Sequence, residues 1–387
     1  MHTLGILSLA MTAAVGAAPA WAAPSRAASA SAAAPDHDTI IRNGVIYDGS
    51  GKPAFAGDVT IDRDRVSYVG PHAPGHARTE FDAHGRAVAP GFINMLAHPE
   101  ESLLVDGRAL SDLRQGVTLE VMGELSMGPI NEKMKAFMRR MQGDVHFDVD
   151  WTTLGQYLTK LEQRGIAPNI ASFVSAGTVR EVVLGEEDVQ PDAAQLAEMR
   201  RLVKQAMEEG ALGVTTALIY NPFTYARTDE LTALASESGR CGGMYIAHMR
   251  SEGDRFLEAI DETIAIAKGS GAPAEIYHLK VAAKSNWGKL TALPASNLSL
   301  TGRGMLRKGY YADIVVFDPK TIQDHSTYEK PHQLATGVDD VWINGVQALK
   351  DGEATRQWSG RVVRGRAWTG APHGGCRASS QDWTWNP

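Results

Sequence analysis

Cysteine is almost absent from this chain: Cys241 and Cys376 are the only two in 387 residues. That is too few for a disulfide framework, so the fold must rest on a buried apolar core. One cysteine lies in an apolar segment and the other in a glycine-rich tail. A bridge is open to them, but two free thiols is the expected state. Blocks of Lys and Arg are also missing, as is any interleaving of basic and aromatic residues. With a formal net charge of −7, this argues against a nucleic-acid surface. Beyond the N-terminus no run of about 20 apolar residues occurs, so no membrane span is expected in the mature protein.

The N-terminus is the exception. Residues 1–22, "MHTLGILSLAMTAAVGAAPAWA", form an apolar stretch closing on Ala20-Trp21-Ala22, the small-x-small pattern of a signal-peptidase site. His2 is its only potential positive charge. Residues 1–23 are therefore expected to be a signal peptide and 24–38 a flexible Ala/Ser/Pro leader, giving a periplasmic or secreted product.

What is present is enough apolar residue, 43% of the chain, for one large domain and a small one. Residues 39–88 read as short strands with turn signals at Asn43-Gly44, Asp48-Gly49 and Gly57-Asp58. Residues 303–365 repeat the idiom, and "IRNGVIYDGSG" near the start resembles "VWINGVQALKDG" near the end. One small sheet domain built from both termini is expected, followed by a tail over 366–387. Between them, residues 89–302 alternate strands with helical periods. The strand candidates are Ala89–Met95, Thr118–Met122, Asn169–Val174, Gly213–Ile219, Met244–Ala247 and Glu275–Tyr277. Helical stretches such as Ala193–Glu208 and Phe256–Lys268 lie between them, which argues for parallel α/β architecture and part of a (β/α)8 barrel.

Barrel chemistry sits at the C-terminal ends of the strands. Four of these six ends carry a metal-ligating type: His98, Glu124, His248 and His278. Any one of them is most simply a satisfied core or surface residue. Together they point to a metal or acid–base site. Arg250 and Lys280 each follow a histidine by two positions, so from an extended strand they would point the same way and could hold a carboxylate. The plainer reading is a pair of solvated or salt-bridged cations.

The segments "PGFINML", "DGRALSDLRQGVTLEVMGE", "GALGVTTALIYNPFTYARTDEL", "MYIAHMRSEGD", "IYHLKVAAKSNWGK" and "GYYADIVVFDPKTIQD" together resemble the D-aminoacylase branch of the amidohydrolase superfamily, the N-acyl-D-amino acid deacylases. The resemblance runs from about Thr39 to Arg364. It implies a (β/α)8 TIM barrel with a small β-sandwich built from both termini. It also implies one tightly bound zinc ion held by Glu124, His248 and His278, and hydrolysis of the amide of an N-acyl-D-amino acid. Arg250, with Lys280, would hold the substrate carboxylate, and Tyr220 or Tyr225 would offer a pocket hydroxyl.

Three departures matter. The strand-one His-x-His pair reads Leu96 and His98, so its first member is lost and His98 is a doubtful second-site ligand. Ala176 stands where many relatives place a substrate-contacting histidine. At the Leu290–Thr291 join the sequence passes from strand six to the return toward the sandwich, with no strands seven and eight and no general-base Asp. About 200 residues remain for a barrel that typically takes ~250. The later acids Asp313 and Asp318 belong to a sandwich strand. Three readings stay open: a zinc-dependent N-acyl-D-amino acid deacylase, another amidohydrolase acting on a dipeptide or cyclic amide, and an inactive remnant.

Overall fold

The computed structural model describes residues 35–284, 302–327, 329–370 and 376. The expected signal peptide, most of the leader, the Leu290–Thr291 join and most of the tail lie outside the described residues. Among the described residues no helix is long and apolar enough to cross a membrane.

The N-terminal strands are β1 (His37–Ile46), β2 (Phe55–Asp62), β3 (Arg65–Gly70), β4 (Ala77–Asp82) and β5 (Ala87–Pro90). At the far end come β13 (Ile314–Phe317), β14 (Val338–Ile343), β15 (Val346–Lys350) and β16 (Glu353–Ala354). All nine belong to one sheet, in the order β16-β15-β14-β13-β5-β1-β2-β3, with β4 also on β1. The two halves of the chain are joined where β5 and β13 pair antiparallel, Ala89 against Val315. Period-two alternation then sorts the side chains. Val88, Ile314 and Val316 pack with Ile41, Val59 and Trp342 on one face, whereas Ala89 and Val315 join Leu113, Val341 and Leu349 on the other.

Two turn expectations in this sheet need correction. Gly57-Asp58 is inside β2, because Gly57 lies so close to the neighbouring strand that a Cβ would reach the Gly70 carbonyl oxygen at 2.5 Å. Asn43-Gly44 does not break β1 either; it makes a register shift within the β1–β2 pair, with Asn43 at φ 56°. Its counterpart Asn344-Gly345 is the true hairpin, both residues at positive φ between β14 and β15. β1 also starts at His37, inside the expected leader, where His37 Nδ1 meets Asp62 Oδ2 at 3.0 Å.

The middle of the chain carries parallel strands: β6 (Phe92–Asn94), β7 (Val117–Met122), β8 (Asn169–Ser172), β9 (Val174–Ser175), β10 (Gly213–Ala217), β11 (Met244–His248) and β12 (Ala274–Ile276). They pair β6-β7-β8 and β9-β10-β11-β12, all in parallel register. Only Phe173 separates β8 from β9, and its N–H donates to the Met122 carbonyl at 2.9 Å. The expected single strand Ala89–Met95 is in fact two: Gly91 divides β5, in the terminal sheet, from β6, in the parallel one.

Helices follow the strands: α1 (Ser102–Val105), α2 (Leu110–Leu113), α3 (Glu132–Met141), α4 (Leu154–Arg164), α5 (Ala176–Leu184), α6 (Ala193–Glu208), α7 (Thr228–Arg240) and α8 (Phe256–Ser270). Capping boxes start two of them, Thr153 with Gln156 on α4 and Asp192 with Gln195 on α6. Alternate strand residues divide between two cores. Met122, Ile170, Val174 and Val214 pack outward against the helices. Leu119, Val121, Ala171, Phe173, Met244, Ile246 and Tyr277 pack inward against one another. In the described residues β6 and β12 each hydrogen-bond to one neighbour only. Near these edges a cavity of about 710 Å³ is lined by Met95, Leu96, Ile246, Ile276, Tyr277 and Leu279 among others.

The two cysteines are not free. Cys241, at the C-cap of α7, is bonded to Cys376 across 135 residues of sequence. Sequence spacing carries no signal of that proximity, since only the fold brings the tail back to α7.

Candidate metal centre

Three strand ends converge. Gly123, just beyond β7, takes φ 112°, and a Cβ there would lie 2.4 Å from the Phe173 carbonyl oxygen. Only glycine fits so close an approach, and the turn it permits delivers Glu124 into the site. His248 is the last residue of β11 and is buried. His278 follows β12 at φ 28° and is exposed. One ligand atom from each of Glu124, His248 and His278 lies within 4.8 Å of the others.

Hydrogen bonding sets the details. His248 Nδ1 is 2.7 Å from Glu124 Oε1, while the other Glu124 oxygen lies 3.4 Å from Nε2 of the exposed His98. The rings of His248 and His278 meet edge to face at 4.5 Å, and Tyr220 packs edge-on against His248 at 5.4 Å. His248 Nε2 is buried without a hydrogen-bonding partner. Burial works against ionisation of Glu124, yet its His248 hydrogen bond and the three nearby imidazoles hold its carboxyl below the usual value. Glu100 differs: burial pushes its carboxyl up to about 7 against the Gly123 N–H at 3.2 Å, and the Glu124 charge adds to this.

Two nitrogens and a carboxylate oxygen at strand ends match the donors that zinc takes, with three protein ligands leaving one position open. The orphaned Nε2 of His248 and the close Glu124 pairing both fit an ion-binding cluster better than a packed core. His98 reaches this cluster only through Glu124. Leu96, at the lost ligand position, packs against the inner apolar core instead.

The expected carboxylate-binding pair divides. Arg250 does not face the histidines: it makes two 2.9 Å contacts to Glu262 on α8 and donates to the Thr224 and Ala226 carbonyls at 2.6 and 2.8 Å. The alternation argument failed because β11 ends at His248, and Met249 turns into a small core with Phe256 and Ala259. Lys280 does approach the cluster, with Nζ 3.2 Å from Glu252. Tyr225 lies in the cleft with Arg250, away from the histidines. Glu252 was missed from sequence. It lies 3.2 Å from His278 Nδ1 and 3.8 Å from His248 Nε2. The available signal was an acid four residues after His248. Asp313 is structural, paired to Arg303 and accepting from the Asn344 N–H at 2.8 Å, and Asp318 accepts from the Lys320 N–H in a turn.

No protein-family model matches the chain. It is 23% identical to a D-aminoacylase of Alcaligenes xylosoxydans xylosoxydans, covering 84% of this chain and 97% of that one. That alignment extends over 474 positions, more than this chain's whole length, so the relative has a stretch that this chain lacks. A solved D-aminoacylase, described as having a binuclear metal centre with one-metal activation, superposes with a TM-score of 0.77 at 23% identity, over 84% of this chain and 99% of that one. The N-acyl-D-glutamate deacylase of Bordetella bronchiseptica, solved with zinc and a phosphonate mimic of the tetrahedral intermediate, gives 0.72 at 20% identity, over 85% and 99%.

Proposed function

We propose, on the premise that this chain is a homologue of the D-aminoacylases and N-acyl-D-amino acid deacylases, that it holds one zinc ion on Glu124, His248 and His278 and acts on the amide of N-acyl-D-amino acids. The convergence of those three strand-end side chains carries the reading. When bound, zinc supplies Lewis-acid polarisation of the acyl carbonyl and a water that is acidic near neutral pH.

The chain's own residues do the rest. Among the described residues Lys280, paired with Glu252 beside His278, is placed to meet a substrate carboxylate at the cluster, whereas Arg250 is held by Glu262 away from the histidines. Tyr220 borders the site over the His248 ring and offers its hydroxyl to the acyl side. Proton transfer is the weak half. Hydrolysis needs a base to take the water proton and return it to the leaving amine. Among the described residues no Asp follows a further parallel strand after β12. That observation favours a second reading, a metal-binding fold with little turnover.

Export is part of the proposal. The leader pattern and the Cys241–Cys376 bond are both suited to an oxidising compartment.

Zinc content and hydrolysis should be measured on one preparation, against N-acyl-D-amino acids, a dipeptide and a cyclic amide. One zinc per chain, lost in both His248→Ala and His278→Ala, is the expected result. Unchanged zinc in both variants would sink the ligand assignment.

A further inference from the structure

His278 is poorly held by its own backbone. It follows a strand of only three residues, sits at positive φ and is exposed, so no ladder fixes its ring, whose packing is the edge-to-face contact with His248 and a tilted one with Tyr277. A metal-ligating imidazole needs one nitrogen free and the other engaged, because the engaged nitrogen sets the tautomer and aims the free one. For His248 the surroundings are rigid: a buried strand end and the Tyr220 ring packed edge-on. For His278 the polar partner is Glu252.

Glu252 is well placed for this. Its side chain is mostly buried, and one oxygen, Oε1, lies 3.2 Å from His278 Nδ1, 3.2 Å from Lys280 Nζ and 3.8 Å from His248 Nε2. Its backbone carbonyl accepts from the Ala282 N–H at 2.8 Å, which ties the loop after β11 to the loop after β12. A single carboxylate thus links a proposed ligand ring to Lys280, a cation that approaches the cluster.

We propose that Glu252 is a positioning residue of the metal centre: through His278 Nδ1 it turns the ring so that Nε2 faces the ion, and through Lys280 Nζ it fixes the ammonium at the site's mouth. This rests on the reading of Glu124, His248 and His278 as ligands. Glu252 acts through His278 and Lys280, outside the ligand set. Removing its charge should loosen the ring without removing a ligand.

The test is zinc affinity by chelator competition on the full chain, for the native protein and for Glu252→Gln and Glu252→Asp. Cobalt(II) spectra and thermal unfolding of the metal-free forms would accompany it. Glu252→Gln should bind zinc about 10–100-fold more weakly. It should still fill to one ion per chain, keep the shape of the cobalt spectrum and unfold at the native temperature. Glu252→Asp should recover part of the loss. Affinity within twofold of native for both variants would overturn the proposal. So would failure to reach one ion per chain with an altered cobalt spectrum, which would make Glu252 a ligand itself. A weaker affinity matched by lower stability of the metal-free variant would also overturn it, assigning a merely structural role. If the native chain binds no zinc at all, the ligand reading itself fails, a result distinct from all of these.

Discussion

Glu120 lies beside Asn94 in the parallel ladder between β7 and β6, yet neither of its carboxylate oxygens has a hydrogen-bond partner. Burial raises its carboxyl well above the usual range, and the charges of Asp112 and Glu100 add to this. The native state therefore holds the Glu120 proton more tightly than the unfolded chain does. That contribution to stability is complete below the ordinary glutamate value and is lost as pH rises toward the native one. Glu120→Leu removes the penalty with little change of volume. At pH 8 it should be more stable than the native chain by about 1–3 kcal/mol, and the gap should narrow near pH 4.5. Urea unfolding at the two pH values checks this, and an identical gap at both would contradict it.

The buried pair of Arg180 on α5 and Glu230 on α7 makes the opposite prediction. Arg180 is fully buried, with Nη1 on Glu230 and Nη2 on the Val189 carbonyl. Burial raises the Glu230 carboxyl and the Arg180 charge opposes that rise. Arg180→Ala strands an acid in the apolar layer and should cost about 3–5 kcal/mol in denaturant unfolding, whereas Arg180→Met with Glu230→Leu should recover most of it. A small loss in the single variant would show that the pair is not a buried unit.

These two sites show where sequence was readable and where it was not. Helix α6 falls on Ala193–Glu208 as its period and capping residues indicate. Glu124, His248 and His278 stand out because an apolar strand has no packing reason to end on a ligand type. Glu252 was missed, and Arg250 takes the salt-bridged alternative, because both follow β11, where the chain leaves the extended form and two-residue alternation no longer predicts direction. The β5–β6 break and the two fates of Asn-Gly depend on which strand lies alongside. The Cys241–Cys376 bond depends on the path of the whole chain. Local rules do not contain such long-range facts.

That disulfide yields the third prediction. Closing a loop of this length is worth about 4–5 kcal/mol in the chain-entropy account. Cys376→Ser, or reduction of the native protein, should therefore lower the unfolding midpoint clearly. Protein from the native host should begin near Ala23 or Pro24 and carry no free thiol. An intact Met1 together with two titratable thiols would remove the case for export.

The last prediction concerns turnover. In the described residues β6 and β12 are open edges, with an apolar cavity lined by Met95, Leu96 and Ile276. A closed barrel would have no such edges. The alignment with the longer D-aminoacylase extends over more positions than this chain has, and we propose that the missing stretch falls at Leu290–Thr291. Among the described residues the inner core is open at these edges and no Asp follows a further parallel strand after β12. General acid–base catalysis accounts for about 10²–10⁴-fold in rate. Inserting a relative's strand-seven-to-eight segment after Leu290 should therefore raise hydrolysis of an N-acyl-D-amino acid by at least about 10²-fold. Zinc affinity should change little, because Glu124, His248 and His278 all precede the insertion. Equal rates with and without the insert would mean that the described residues already contain the base, and Glu252 or Glu100 would then be the first to replace.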